Sequence, residues 1–454
     1  MPSESQIPIT SSRQSKRFAS RLALFYGAIF ALIGCHLPFF PVWLRAVGID
    51  AAWIGVISAV PAVTRFTVLP MVTGLAERRG AVRGAMKATA VMTTFGFAVI
   101  GTQHLPLAVF LAYAVTAASW TPTVPLTDAY ALRGVAKYGL DYGPLRLWGS
   151  AAFIVGALGC GLLAGMMAAE HLIWIIVAAG ALAALVGFGL QPLESRQAQA
   201  PMQPGTRAHF PKFVFRRSAH LSRTSESHGH EQAYNSSAAS RFEVPGADSP
   251  LAVQELQIGG TSALLRDPRF LAIIAASALI QGSHSTYYVF GSITWQLAGL
   301  GGLTIAALWA LGVVAEIAVF ALSPRFTLHP STLVVIGGVG AMLRWLITAQ
   351  EPPVAVLAVV QLAHGVSFGL TQVGIMGLMV RHVPMPVVTR AQGYLAACGG
   401  IVASTASIVS GAIYARYGQG AYYAMAVMAL SGAAVMWSAR RRIKSHPQSA
   451  ASGG

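Results

Sequence analysis

Glu316 stands in a run from Leu308 to Leu322 whose other residues are almost wholly apolar. Ionisable groups in such surroundings are expensive to place and usually functional. A carboxyl there can gain and lose a proton, which is the chemistry of a proton carrier. The other reading is a carboxylate held permanently against an arginine such as Arg344, tying two neighbouring helices together. Arg65 and Arg344 also lie in apolar runs. They cannot practically lose their charge, so each needs an anion, a carbonyl or water beside it. A guanidinium receives a carboxylate as a bidentate fork, which makes both arginines candidates for holding an anionic solute.

Weaker polar signals surround these charges. Gln281 and His284 are three apart and share a helix face, with Tyr287 and Tyr288 following within a turn. Gln361 and His364 repeat that spacing, and His36 stands alone in an earlier apolar run. A histidine in such a place relays a proton or hydrogen-bonds a neighbouring helix. His284 is grouped with Glu316 for proton coupling. His36, Gln281, Tyr287, Gln361 and His364 are grouped with the arginines for solute binding. Asp128 and Arg146 lie toward the ends of two consecutive apolar runs, where a hairpin brings them together as a solute contact or as a gate. Trp295, Trp309, Trp345, Tyr287 and Tyr288 suit either a cavity wall able to stack on a phenyl ring or membrane-interface anchors, and the anchor reading is favoured for Trp295 and Trp345, off the centres of their runs.

Other chemistries find no support. Cys35, Cys160 and Cys398 are far apart in apolar runs, without metal spacing, and read as buried small residues. His228 and His230 stand in a Ser, Arg and Glu-rich stretch, where disorder is the better reading than a metal site. No metal and no cofactor is expected. A glycine-rich phosphate loop before a lysine and zinc-type spacing are both missing, so neither an enzyme nor direct ATP coupling is expected.

The elements that must position these residues follow from composition. Of 454 residues, 55% are hydrophobic and 10% charged, and the mean hydropathy is +0.60. A soluble domain of this length carries far more charge. Runs long enough to cross about 30 Å of hydrocarbon recur along the chain. They read as residues 22 to 43, 53 to 73, 85 to 102, 105 to 127, 144 to 167 and 171 to 190. After a polar gap they resume at 269 to 298, 302 to 323, 331 to 348, 353 to 380, 389 to 415 and 420 to 438. The expected fold is all-α and integral to the membrane, with twelve transmembrane helices in two six-helix bundles. Its parts are a tail (1–20), a first bundle (21–190), a largely disordered linker (191–266), a second bundle (267–439) and a second tail (440–454). A short interfacial helix is expected from Pro250 to Leu265.

Lys and Arg gather in alternate loops, from Arg13 through Arg78, Arg133 and Arg325 to Arg442. By the positive-inside rule both termini and the linker are cytoplasmic. The same bias explains a net charge of +16 without a nucleic-acid partner, since the charge is not gathered in an aromatic-interleaved patch.

Thr73 to Gly80, TGLAERRG, resembles the loop pattern G-x-L-A-D-R-x-G of the major facilitator superfamily. It departs from that pattern at Thr73 and Glu77, and no basic pair follows Gly80 directly. Glu77, Arg78, Arg79 and Gly80 could act as a conformational latch on the cytoplasmic face, or form a plain positive loop. Longer strings are more specific: PLTDA at 125–129, LDYGPLRLWGS at 140–150, LIQGSHSTYYVFGSITWQ at 279–296 and LWALGVVAEIAVFALS at 308–323. They resemble the phenylpropionate permease group, in the branch that also holds lactose permease and nucleoside/proton symporters. The resemblance implies a monomer of the inner membrane that takes up a small organic solute with protons, an aromatic carboxylate such as 3-phenylpropionate being favoured. It also extends to Asp128 and Arg146 the solute-binding role of an acid and an arginine at similar places in lactose permease. Sugar or nucleoside symport, drug or metabolite efflux, and a non-transporting receptor with the linker as output are the alternatives.

Overall fold

The structure, a computed structural model, describes residues 9–140, 142–193, 264–383 and 387–444. Most of the linker, including its interfacial-helix segment, His228 and His230, lies outside the described residues, as does the side chain of Arg146. All described helices belong to one of two compact units.

The first half runs α1 (Ile9–Ala46), α2 (Ala51–Arg78), α3 (Val82–Gly101), α4 (Pro106–Trp120), α5 (Thr123–Tyr138), α6 (Tyr142–Ala164) and α7 (Leu172–Phe188). The second runs α8 (Pro268–Gly282), α9 (Ser285–Leu297), α10 (Gly302–Leu322), α11 (Pro330–Thr348), α12 (Val354–Leu362), α13 (Thr371–His382), α14 (Val388–Tyr417) and α15 (Ala421–Lys444). Three spans are interrupted. The α4/α5 pair breaks at Thr121–Pro122, α8/α9 at Ser283–His284, and α12/α13 are joined by a π-helical turn, Gly365–Leu370. Counted through these breaks, the described residues make twelve spans. Nine described stretches are long and apolar enough to cross a membrane; one of them holds both α14 and α15, and α6 and α8/α9 complete the set.

Two boundaries differ from the expectation, for the same reason. Helix α1 begins well before residue 22, and α5 runs past Arg133 to Tyr138. The extensions pack on each other: Phe18 is buried, its ring lies 5.3 Å from Tyr130 and 5.2 Å from Tyr138, and Gly134 leaves the space that Phe18 fills. Hydropathy marks where lipid ends; here helix continues into water because a partner helix covers it. At the end of α2, Gly80 takes the left-handed φ of 60° that ends a helix with little strain when no Cβ is present. Ala81 N–H closes the turn onto Ala76 O.

The halves meet through α2 against α14, α6 against α10, and α1 against α9. Lipid tails are as apolar as leucine, so close approach of backbones rather than exclusion of water must hold such helices. A Cβ on Gly55 would lie 2.6 Å from Ser407 O and 2.9 Å from the Cα of Gly411; one on Gly161 would lie 2.5 Å from Gly302 O. These glycines sit near the helix ends that share a face with Arg45, Asp50 and Arg416. Along the same two helices Gly400 of α14 still meets Phe66 of α2 at 2.7 Å, but further toward the other face Gly74 of α2 and Gly393 of α14 have nothing within 4 Å of an added Cβ. The halves are therefore closed at one face and splayed at the opposite one.

Candidate functional site

The interrupted spans of the second half converge on one side chain. Arg344, near the C-terminal end of α11, is 1% exposed, and the described residues place no carboxylate directly on it. Its cation is met by dipoles instead. Nε donates to Val360 O at 3.1 Å, Nη2 to Gln361 Oε1 at 2.9 Å, and Nη1 to His364 Nδ1 at 2.9 Å and Ser367 Oγ at 3.4 Å. Tyr287 and Trp345 offer ring faces 4.6 Å from the guanidinium carbon, which suits a delocalised cation deprived of water. The π turn matters because a wide turn withdraws carbonyls from the regular helix ladder. Arg344 reaches the carbonyl of Val360 next to it.

These partners fix the proton positions on both histidines. An arginine has donors only, so Nδ1 of His364 must accept and Nε2 must carry the hydrogen. Glu316 Oε2 lies 3.8 Å from that nitrogen. His284 is fixed by the opposite route. Its Nδ1 lies 3.1 Å from the carbonyl of Ile280, which can only accept, so Nε2 accepts from Ser367 Oγ at 3.2 Å. A neutral imidazole thus stands between Arg344 and Glu316, where the sequence left open a direct ion pair.

The break at Ser283–His284 supplies the rest of the wall. Ile280 O accepts from both Ser283 Oγ at 2.6 Å and His284 Nδ1, and Trp345 Nε1 donates to Ser283 at 3.0 Å. Tyr287 stacks on Trp309 at 4.6 Å, and Trp309 Nε1 donates to Ser292. Trp295 and Trp345, expected as interface anchors, are 3% and 0% exposed. Their indoles fill the protein interior, where packing against Tyr287 outweighs a lipid-facing position. Gln281 donates to Gln372 Oε1 at 3.3 Å, and its own Oε1 is buried without a partner.

Glu316 is 27% exposed, unlike the buried histidine beside it. Tyr288, on the same wall, lies within electrostatic reach of Glu316, Arg344 and Arg65. Arg65 comes from α2 of the other half and is exposed. These four residues are thus drawn together from α2, α9, α10 and α11.

The remaining candidates lie apart from that cluster. His36 is 9% exposed in a cage of rings, stacked on Phe40 at 4.9 Å, with Phe97 and Trp120 within 5.7 Å and Nε2 3.1 Å from Tyr113 Oη. Asp128 accepts from the hydroxyls of Tyr26 and Tyr142 at 2.5 and 2.9 Å, joining α1, α5 and α6. Glu77 pairs with Arg133 of α5 at 3.9 Å, both exposed, while Arg78, Arg79 and Gly80 stand exposed beside it. Sequence reasoning missed Ser367, Ser283 and the two tyrosines on Asp128. Of these only Ser367 carried a signal, as a hydroxyl one turn after His364 on a helix already singled out.

Residues 19–425 match the MFS_1-like family. The probable 3-phenylpropionic acid transporter of Escherichia coli strain K12 is 28% identical over 414 residues, covering 90% of this chain and 94% of that protein. The maltose permease of Geobacillus stearothermophilus is 26% identical over 412 residues, covering 88% and 89%. Among solved structures, the nucleoside transporter NupG aligns with a TM-score of 0.71 at 15% identity, over 95% of this chain and all of that one. A bacterial homologue of the human lysosomal transporter Spinster aligns with a TM-score of 0.64 at 12% identity, over 93% and 96%. With the match spanning both halves and the splayed, two-bundle fold in accord, the chain belongs to the MFS_1-like family and is a major facilitator superfamily transporter.

Proposed function

We propose that the protein takes up a small aromatic carboxylate together with a proton across the inner membrane, with both termini cytoplasmic. The observation that carries this reading is the placement of Glu316, part-exposed at membrane depth, opposite the exposed Arg65 and beside Tyr288.

Arg65 receives the carboxylate. Arg344 does not, because four of its five N–H groups are engaged within the protein; it holds His364 in the tautomer that faces Glu316. An ionised Glu316 repels an anionic solute, and a protonated one does not. Two like charges about 8 Å apart at an effective dielectric of about 20 interact by about 2 kcal/mol, or about thirtyfold in affinity. That lies within the range of couplings that drive allosteric proteins. Proton and solute therefore favour each other's binding, and the loaded carrier crosses by rocking of the halves. The splayed face is the cytoplasmic one in this reading, since it carries the basic loops. The similarity to the Escherichia coli transporter supports an aryl acid as the cargo.

Vesicles with an acidic, positive exterior should accumulate labelled 3-phenylpropionate, and no pH-dependent accumulation of any aromatic acid overturns the reading. Glu316→Gln should keep exchange and lose uphill uptake; normal uphill uptake in that variant removes Glu316 as the carrier. Deleting residues 200 to 245 should leave uptake intact, measured in the same vesicles, because the segment only tethers the halves in this reading.

A further inference from the structure

On the face where the halves are splayed, the ends of α1, α3 and α7 gather cations beside a lipid-facing edge. Arg83 Nη1 donates to Leu190 O at 3.4 Å, just past the end of α7, and the Tyr130 hydroxyl donates to the next carbonyl, Gln191 O, at 2.6 Å. Arg21 of α1 joins Arg83 within electrostatic reach of that hydroxyl. One turn further along α3, the Lys87 ammonium lies 5.7 Å from the centre of the Phe188 ring. We propose that this notch binds the headgroup of an anionic phospholipid whose acyl chains lie along α3 and α7.

Three features carry this. The first is uncompensated charge. Arg21, Arg83 and Lys87 have no ion-pair partner among the described residues, whereas Arg133 on the same face is met by Glu77. Carbonyls at a helix C-terminus repel an anion, but here Arg83 and Tyr130 cover them. Helix α3 starts at Val82 without a side-chain cap, so its first-turn N–H groups add to the positive field. The second is accessible apolar surface next to the charges. Val91, Met92 and Phe95 of α3 and Leu182, Leu185 and Phe188 of α7 are each 42 to 70% exposed. From Lys87 to Phe95 the helix rises about 12 Å, most of the hydrocarbon depth of one leaflet, about 15 Å. The third is a fixed spacing of the two helices. A Cβ on Gly180 of α7 would lie 2.9 Å from Thr94 Oγ1 of α3, and one on Gly187 would lie 3.0 Å from the Phe25 ring of α1. Basic pockets at the ends of membrane helices hold acidic headgroups. A zwitterionic headgroup brings its own cation and gains less, and free phosphate leaves the apolar stripes unused.

The test is a titration of delipidated protein in neutral detergent with dioctanoyl phosphatidylglycerol, dioctanoyl phosphatidylcholine and inorganic phosphate, read by melting temperature and native mass spectrometry. Phosphatidylglycerol should bind about tenfold or more tightly than either of the others, as expected where several cations face one headgroup. Arg21→Gln/Lys87→Gln should weaken that binding about tenfold or more, in line with loss of two cations near the membrane surface. Its lipid-free melting temperature should be unchanged, because neither side chain has a hydrogen bond to lose among the described residues. Phe188→Ala should weaken the lipid and leave phosphate unaffected. Lys16→Gln/Arg17→Gln, which removes the same charge from an exposed stretch of α1, should leave lipid binding as it is. Equal affinity for the two lipids, phosphate binding as tightly as phosphatidylglycerol, or equal losses in the two double variants each overturn the proposal. Binding is read without transport, so its outcome and that of the uptake experiments are independent.

Discussion

Each half of the molecule buries histidine at membrane depth, and the two halves treat it differently. In the first half His36 lies among Phe40, Phe97, Tyr113 and Trp120 with one polar partner, the Tyr113 hydroxyl. In the second, His284 is wired through Ser367 to Arg344, while His364 bonds Arg344 directly and lies beside Glu316. The first is a ring among rings and the second a conductor between charges. Residue type and depth are the same; what differs is whether an obligate donor stands next to the imidazole.

The comparison breaks most readily at Arg344. Arg344→Leu strands Gln361 Oε1, Val360 O and His364 Nδ1 in an apolar interior, and each buried polar group left unsatisfied costs about 1–3 kcal/mol. A large fall in melting temperature in detergent, or failure to obtain folded protein, is expected; an unchanged melting temperature would mean the cluster is not the keystone of the second half. Ser367→Ala removes one link at a cost of about 1 kcal/mol. It should lower the melting temperature by a few degrees while uphill uptake falls further than exchange, since the hydroxyl links the His284 ring to Arg344. The smallest effect belongs to the first half: His36→Phe keeps the stack, loses one hydrogen bond, and should change stability by less than about 1 kcal/mol with uptake within twofold. A loss of uptake comparable to that of Glu316→Gln would erase the distinction between the halves.

The sequence made the spans plain because apolar runs of membrane length have few other uses. It also exposed the costly residues, Glu316, Arg344 and Arg65, since a charge in such a run is conspicuous. It did not reveal how they are joined. Nothing in Gln361 to Ser367 announces a π turn, and no proline or repeated breaker marks the interruption at Ser283–His284. Those breaks arise because side chains from other helices, Arg344 and Trp345, satisfy the carbonyl and hydroxyl groups there. Trp295 and Trp345 were placed at the lipid boundary by their position in the runs, and the structure moves them inside because position along a span says nothing about which way a ring faces. The pair of Glu77 and Arg133 was half visible: the acid stood in a recognisable loop, but its partner needed α5 to extend beyond the hydrophobic run.

The π turn of Gly365–Leu370 has a rotational meaning. Each residue of an α-helix advances the azimuth by about 100°, so one surplus residue in a turn swings everything beyond it by about that amount around the axis. The face of α13 that brings Gln372 against Gln281 is therefore dialled in by the surplus residue. Straightening the turn would aim that face elsewhere while leaving His364, on the near side, where it is. One helix thus contains two sectors whose angular offset is adjustable in units of a single residue.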